Sequence, residues 1–185
     1  PAAVSETVKT QLTSAANVPA AGIKRVAGED RYQTAEAVYD EGLADNVWDG
    51  ISVPVIVSGE TPADALSISP WSYSFGMPIL LAKNGALTAR SMTIAKNMNM
   101  ITRFAYICGG TAAVSQATEN SLMSAGISVK RFAGLDRYDT SAMIAKYFAG
   151  DMTDPTGKTG DYNHTIFASG LDSHYPDPLV SSMLQ

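Results

Sequence analysis

Arginine, aspartate and glycine recur together at two places in the chain, in a pattern that suits anion binding. The pattern Arg-x-Ala-Gly-x-Asp-Arg-Tyr-x-Thr occupies residues 25–34 and, 106 residues later, residues 131–140. In each copy the Asp is suited to cap a following helix, which places the next Arg in the first turn of that helix. A guanidinium beside the N–H groups of a helix N-terminus binds phosphates and carboxylates. The pattern therefore predicts either an anion site or an Arg–Asp tie between turns or neighbouring repeats.

Each copy of this motif supplies its own candidate residues. Gly28 and its counterpart Gly134 are expected to take the positive φ that a tight turn before a helix often needs. The candidates for ligand binding by this argument are Gly28, Asp30 and Arg31 in the first copy, with Asp136 and Arg137 in the second.

A serine–glycine pair with a following acid forms a second motif. Ser58 and Gly59 come after an apolar run and are followed by Asp64, and the arrangement is echoed by 169–170 with Asp177. An acid in the first turn suits the N-terminal end of a helix. Ser58, Gly59 and Asp64 are therefore further candidates at the same kind of turn.

A serine after a strand also suggests a nucleophile, and this possibility has to be weighed. Gly-x-Ser-x-Gly is absent, and the two histidines of the chain, His164 and His174, have no counterpart in the complete repeat. We therefore expect no catalytic residue and no enzyme activity. An α/β hydrolase or a nucleotide-using enzyme stays as the competing class, because catalysis needs different residues in different roles, whereas the notable residues here recur copy by copy.

A glycine pair, Gly109 and Gly110, follows another apolar run. It lets the backbone approach a ligand or a neighbouring helix closely, but the dinucleotide spacing Gly-x-Gly-x-x-Gly is not met. One cysteine, Cys108, and two histidines cannot form a structural zinc cluster, and no calcium loop is present. We expect neither a metal nor another cofactor.

Net charge and hydropathy argue against two kinds of partner, nucleic acid and a membrane. The 185 residues carry 13 Lys and Arg against 18 Asp and Glu, a net charge of −5. A long polyanion such as nucleic acid is not steered to such a surface, so an anionic ligand has to be held by a local site. No apolar run reaches the roughly 18 residues of a transmembrane helix, so we expect no membrane insertion.

The elements that position these motifs alternate along the chain. Short apolar runs typical of buried strands lie at residues 53–57, 78–81, 104–107, 129–132 and 165–168, and helical stretches lie at 34–39, 63–75, 88–98, 115–125 and 141–148. Alternation of this kind predicts an α/β fold, a parallel sheet flanked by helices on both faces. Every motif then lies at the carboxyl edge of the sheet, where such sheets bind ligands.

The repeats also predict how the chain is divided. Matching pairs are 106 to 113 residues apart, so the chain covers roughly 1.7 periods of an array. We expect residues 1–22 to be the closing helix of a preceding repeat, residues 23–127 to be one complete repeat, and residues 128–185 to be the first part of the next.

The order and spacing of these motifs resemble the cell wall binding repeat type 2 family. The residues that carry the resemblance are Arg25 to Thr34, Ser58 with Asp64 to Leu66, Pro78 to Leu81, and Gly109 to Ser115. The resemblance implies a secreted module of Gram-positive surface proteins such as S-layer proteins, autolysins and adhesins. Such a module anchors them noncovalently to the cell wall by binding an anionic, teichoic-acid-like polysaccharide.

The resemblance further implies a three-layer, Toprim-like fold in tandem copies that associate in a pseudo-threefold arrangement. By the same resemblance, the binding and inter-repeat positions are Arg25, Asp30, Arg31, Asp64, Arg131, Asp136, Arg137 and Asp177. At the second copy, Asp177-Pro178-Leu179 departs from the Asp-Ala-Leu of the family. A module that serves purely for oligomerisation between repeats stays as an alternative.

Overall fold

The computed structural model describes residues 4–15, 19, 22–48, 52–98 and 101–150. The strand expected at 165–168, the second serine–glycine pair and Asp177 lie outside these residues. The helices are α1 (Glu6–Ala15), α2 (Arg31–Ala44), α3 (Ala63–Ser74), α4 (Ala89–Met98), α5 (Gln116–Ser124) and α6 (Arg137–Gly150). The strands are β1 (Val55–Ser58), β2 (Ile79–Lys83), β3 (Ala86–Leu87), β4 (Phe104–Cys108) and β5 (Ser128–Phe132).

The five strands form one sheet in the order β3-β2-β1-β4-β5. The pairs β1–β2, β1–β4 and β4–β5 are parallel, which confirms the α/β class predicted from the alternating elements. The pair β2–β3 is antiparallel, and β3 was not predicted. Asn84 and Gly85, both with positive φ, make the tight turn between these two strands.

Helices cover both faces of the sheet. On one face, α2, α4 and α5 enclose a core that includes Tyr39, Ile94 and Leu122. On the other face, α3 and α6 enclose a core that includes Ile68 and Phe148. Buried strands with apolar residues on both faces are what a parallel sheet of this kind requires.

Strand β5 and helix α6 complete this sheet and its core. All five residues of β5 pair with β4. Phe148 of α6 stacks on Trp71 of α3, with ring centroids 5.5 Å apart. Residues that were expected to open the next repeat therefore pack here against strand β4 and helix α3. The division of the chain after residue 127 stays a prediction.

No helix in the described ranges has the length and apolar character that crossing a membrane would require.

Candidate functional site

The parallel strands bring several of the predicted site residues to one edge of the sheet, where they form two groups together with residues that were not predicted. We call the group at the ends of β1 and β2 the first edge cluster; it consists of Asp30, Arg31, Tyr32, Gly59, Glu60 and Lys83. We call the group at the end of β4 the second edge cluster; it consists of Asp64, Gly109, Gly110 and Arg137.

The glycine that precedes each motif helix has a different role from the one expected. Neither Gly28 nor Gly134 has a positive φ, so that expectation is wrong. A Cβ at Gly28 would instead collide with Gln33 and the backbone of Thr34, and Gly134 meets the same turn in the second copy. The Gly28 N–H donates to Thr34 Oγ1 over 3.0 Å, and the Gly134 N–H makes the same bond to Thr140. Glycine is needed because the first helical turn folds back onto it.

The two motif aspartates cap helices, as predicted. Asp30 Oδ1 accepts a hydrogen bond from the Gln33 N–H over 2.9 Å at the start of α2. Asp136 Oδ1 accepts from the N–H groups of Tyr138 and Asp139, each over 2.9 Å, at the start of α6. The bond from Gln33, with the nearby charge of Lys83, holds the pKa of Asp30 below its ordinary value.

Arg31 joins the first motif to the serine–glycine pair. Its Nη1 donates to the Gly59 carbonyl over 2.6 Å, while the residue as a whole stays exposed. The ring of Tyr32 lies against Gly59, where a Cβ would collide with it. Gly59 is therefore the point at which the motif helix can approach the end of β1.

Glu60 organises the first edge cluster and was not predicted. Its carboxylate accepts hydrogen bonds from the Tyr32 hydroxyl (2.7 Å), the Ser58 hydroxyl (2.9 Å) and the Asn84 N–H (2.8 Å). These donors, the Asn84 N–H first, lower the pKa of Glu60 to about 2. The hydrogen bond to Glu60 raises the pKa of the Tyr32 hydroxyl. Leu171 follows the second serine–glycine pair, so the repeat gave no signal for this residue.

Lys83 is a second cation in the first edge cluster that sequence reasoning missed. It is the last residue of β2, its side chain is 56% exposed, and its Nζ lies 3.7 Å from Asp30 Oδ2. The Nζ also lies 5.3 Å from the centroid of the Tyr32 ring, within reach of a cation–π contact. Its position after the apolar run at 78–81 was the available signal, since the residue that ends a parallel strand lies at the carboxyl edge.

The second edge cluster joins α3, the glycine turn after β4, and α6. Asp64 is buried beside Gly109, whose φ of +107° strongly favours glycine. Burial raises the pKa of Asp64, and the charge of Arg137 partly offsets that rise. Asp64 and Arg137, from different copies of the repeat pattern, are therefore electrostatic neighbours. A Cβ at Gly110 would meet nothing within 4 Å, so this turn is open at the surface.

Arg131 and Arg25 occupy matching positions and make matching contacts. Arg131 Nη1 donates to the carbonyls of Gly109 (2.8 Å) and Val114 (3.0 Å). Arg25 Nη1 donates to the Val4 carbonyl over 2.9 Å, and its Nη2 donates to Glu6. Val4 matches Val114 in the repeat, so both arginines hold the start of a preceding helix. Their observed contacts are internal to the chain.

Cys108 and Ser58, the other candidate reactive groups, are both buried. Burial raises the pKa of the Cys108 thiol, which lies inside the sheet. Ser58 is buried and donates to Glu60. Within the described ranges, no group of three or more His, Cys, Asp or Glu side chains is placed to hold a metal ion.

A family model described as Cell wall binding domain 2 (CWB2) matches residues 25–119 and 131–185. These two ranges correspond to the two copies of the repeat pattern and cover most of the chain.

Two curated relatives match part of the chain. The chain is 40% identical over 124 residues to the N-acetylmuramoyl-L-alanine amidase LytC of Bacillus subtilis (strain 168), covering 67% of this chain and 24% of that protein. It is 32% identical over 149 residues to the Amidase enhancer of the same organism, covering 79% of this chain and 18% of that protein. The chain thus spans a quarter or less of the length of these relatives.

Two solved structures from Clostridium difficile resemble the fold. Cwp8 matches with a TM-score of 0.63 and 31% identity over 80% of this chain and 23% of that one. Cwp6 matches with a TM-score of 0.58 and 33% identity over 68% of this chain and 19% of that one.

Proposed function

Because this chain belongs to the cell wall binding domain 2 family, we propose that it anchors a protein noncovalently to the Gram-positive cell wall by binding an anionic wall polysaccharide. Membership of this family places the chain at the cell wall and cell surface. The polymer class, teichoic-acid-like with repeated phosphate or carboxylate groups, is part of the proposal.

The first edge cluster is the observation that carries this proposal. Arg31 and Lys83 are both exposed at the carboxyl edge, one at the start of α2 and the other at the end of β2. The Gly59 carbonyl accepts a hydrogen bond from Arg31, and Glu60 accepts one from the Asn84 N–H next to Lys83, so hydrogen bonds fix the positions from which the two cations extend. An anionic group that reaches this edge gains a guanidinium and an ammonium, in competition with the Asp30 carboxylate, which caps α2 and lies 3.7 Å from the Lys83 Nζ.

The second edge cluster offers a related surface. The open turn at Gly110 exposes backbone close to the surface, and Arg137 lies at the start of α6 beside Asp64. We propose that Asp64, Gly109 and Asp136 act here chiefly by shaping the turns and capping the helix. Anion contact at this cluster falls to Arg137 and the backbone at Gly110.

A polymer with repeated anionic groups suits cations that are exposed at the surface, as Arg31 and Lys83 are. Binding several anionic groups of one chain at once converts weak contacts into tight overall binding through the high effective concentration of the later contacts. Since the cations are exposed, the attraction is screened by salt over roughly 8 Å at physiological ionic strength.

Neighbouring units are the second proposed partner. We propose that the units are tandem, Toprim-like repeats, divided as residues 1–22, 23–127 and 128–185, and that they associate with a pseudo-threefold arrangement. The packing of α6 on α3 and the contact of Arg25 with Val4 support association between successive units. Arg25 and Arg131 serve this association, whereas Arg31 and Arg137 are assigned to the polymer.

We propose that the chain itself has no catalytic role. Ser58 is buried and engaged with Glu60, and Cys108 is buried with a raised pKa, so neither has the exposure or activation that a nucleophile needs. Amidase activity in the relative then belongs to the part of that protein that this chain does not match.

Pelleting of the purified chain with isolated cell walls tests the assignment of the cations. Arg31→Ala and Lys83→Ala should each lower the fraction that pellets, and the double variant should lower it further. Arg90→Ala and Lys96→Ala remove exposed cations of the same types on α4 and serve as matched controls that should pellet normally. Unchanged pelleting of a folded double variant would remove the first edge cluster from the proposal.

A further inference from the structure

The first edge cluster carries as many negative charges as positive ones. Its cations are Arg31 and Lys83. Its carboxylates are Asp30 and Glu60, and Glu60 stays ionised at neutral pH because hydrogen bonds lower its pKa to about 2. The exposed carboxylate of Glu29 lies beside the cluster, at the residue before Asp30. The cluster therefore has no net positive charge with which to attract a ligand that carries anionic groups alone.

Asp30 and Lys83 are close neighbours but are not tightly bound to each other. Asp30 Oδ2 lies 3.7 Å from the Lys83 Nζ, whereas a charge-assisted hydrogen bond is about 2.7–2.9 Å long. The two side chains are 42% and 56% exposed. Because an exposed ion pair of this kind contributes little to stability, each member can exchange its partner for a ligand group at little cost.

Each of these side chains uses one atom for the fold and keeps another at the surface. Asp30 caps α2 through Oδ1, which accepts from the Gln33 N–H, and Oδ2 is the oxygen on the side of Lys83. Among the described residues, the guanidinium of Arg31 hydrogen-bonds through Nη1 alone, to the Gly59 carbonyl. The edge of the sheet thus offers a ligand both donors and an acceptor.

The second copy of the motif keeps the same order of charges. Asp136 is exposed at the start of α6 and is followed directly by Arg137. Its Oδ1 caps the helix, as Asp30 does in the first copy. An uncharged Ser, Thr or Asn would cap a helix as well, so capping alone does not require a negative charge beside the arginine. In both copies that charge would repel a ligand that is purely anionic.

We propose that the ligand group at the first edge cluster is zwitterionic, with an anionic group bound by Arg31 and Lys83 and a neighbouring ammonium group bound by Asp30. Because the charges of Asp30 and Lys83 are 3.7 Å apart, the two charges of the ligand belong to one repeating unit of the polymer. An aminoacyl ester or an unacetylated amino sugar next to the anionic group supplies this chemistry. The inference rests on the proposed binding of a wall polymer and names the charges that this polymer carries.

Asp30→Asn separates a zwitterion site from a site for anions alone. Asparagine caps a helix as well as aspartate does, so the substitution removes the charge and keeps the start of α2. Without this carboxylate, a site for anions alone would bind more tightly and a zwitterion site more weakly. Asp40→Asn is the matched control, because Asp40 lies on the same helix, is 48% exposed and forms an exposed ion pair with Arg90.

Pelleting is measured over a series of protein concentrations with isolated cell walls whose extracted polymer contains amines. The walls are used untreated and after acetylation with acetic anhydride at neutral pH, which converts ammonium groups to neutral amides and leaves the anionic groups. The concentration of the parent chain at half-saturation should rise about threefold or more on the acetylated walls. Asp30→Asn should bind both kinds of wall at that weaker level, and Asp40→Asn should behave like the parent chain.

Equal or tighter binding of the parent chain to acetylated walls would overturn the inference. So would unweakened binding of Asp30→Asn to untreated walls, or equal losses in Asp30→Asn and Asp40→Asn. If Asp30→Asn lowers the melting temperature, the effect of acetylation on the parent chain decides the matter alone.

Two further treatments of the walls complete the experiment. Equal pelleting of the parent chain with walls stripped of anionic polymer contradicts polymer binding itself, whereas polymer-dependent pelleting that acetylation does not weaken contradicts only the ammonium contact. Mild alkali cleaves aminoacyl esters and leaves amino sugars in place. Weaker binding after mild alkali supports the ester as the source of the ammonium group, and weaker binding after acetylation alone supports the amino sugar.

Discussion

Arg131 and Glu119 form an ion pair through two nitrogens of the guanidinium. Nε and Nη2 of Arg131 lie 2.9 Å and 2.8 Å from Glu119 Oε2, and the two side chains are 14% and 17% exposed. With Nη1 on the Gly109 and Val114 carbonyls, the guanidinium ties β5 to α5 and to the glycine turn. A charge so placed stabilises the fold only while its partners are present.

Arg131→Ala should therefore destabilise the fold strongly. It leaves a largely buried carboxylate without its partner and removes two bonds to backbone carbonyls, so we expect a loss of about 3 kcal/mol in the free energy of unfolding. Urea denaturation followed by circular dichroism measures it. Arg90→Ala breaks an exposed pair with Asp40 and should cost less than about 1 kcal/mol. Equal losses in the two variants would contradict the structural role of Arg131.

Gly28 and Gly110 should differ in how much stability is lost on substitution by alanine. Gly28→Ala forces a methyl group into Gln33 and the first turn of α2, and should cost about 1–3 kcal/mol. Gly110→Ala places the methyl group in open space and should change stability by less than about 0.5 kcal/mol. Thermal unfolding of both variants checks the pair. A tolerated alanine at Gly28 would show that the turn is looser than described.

Glu60 should make the free energy of unfolding depend on pH in the acidic range. Its pKa is lowered in the folded state to about 2 from an ordinary value of 4.5, so its contribution is fully present above about 4.5. That contribution is lost as the pH falls through the folded pKa. Glu60→Gln should therefore be less stable at neutral pH and should lose less stability between pH 4.5 and 2. Urea denaturation at a series of pH values measures this difference. If the free energy of unfolding depends on pH equally in the variant and in the parent chain, Glu60 does not have this role.

The pKa of Asp64 is shifted in the opposite direction to that of Glu60, so its effect on stability should have the opposite pH dependence. Burial raises its folded pKa, so the stability associated with the protonated form is lost as the pH rises through that value. Arg137 opposes the rise, and Arg137→Gln should raise the Asp64 pKa further, which an NMR titration of the carboxyl group measures. A pKa unaffected by Arg137→Gln would separate these two residues and weaken the second edge cluster.

The sequence predicted the α/β architecture because strands buried on both faces read as short apolar runs. It missed β3, a two-residue strand too short to give a pattern, although the Asn84–Gly85 pair is a known signal for a tight turn. It also gave the wrong reason for Gly28. A glycine can be required by positive φ or by close approach, and the sequence alone does not distinguish these two causes.

The site was predicted where it is repeated and missed where it is not. Asp30 and Asp136 were identified as helix caps because both copies carry them before a helix. Glu60 and Lys83 stand in only one described copy, so comparison of the repeats gave no signal for them. The partners of Arg31 and Arg131 depend on which turns meet at the sheet edge, which only the folded chain determines.

Binding to cell walls before and after chemical removal of their anionic polymers tests the central proposal most directly. The chain should pellet with intact walls, less so as salt is raised, and should stay in solution with walls that have been stripped of these polymers. Full retention on the bare peptidoglycan would contradict recognition of an anionic polysaccharide.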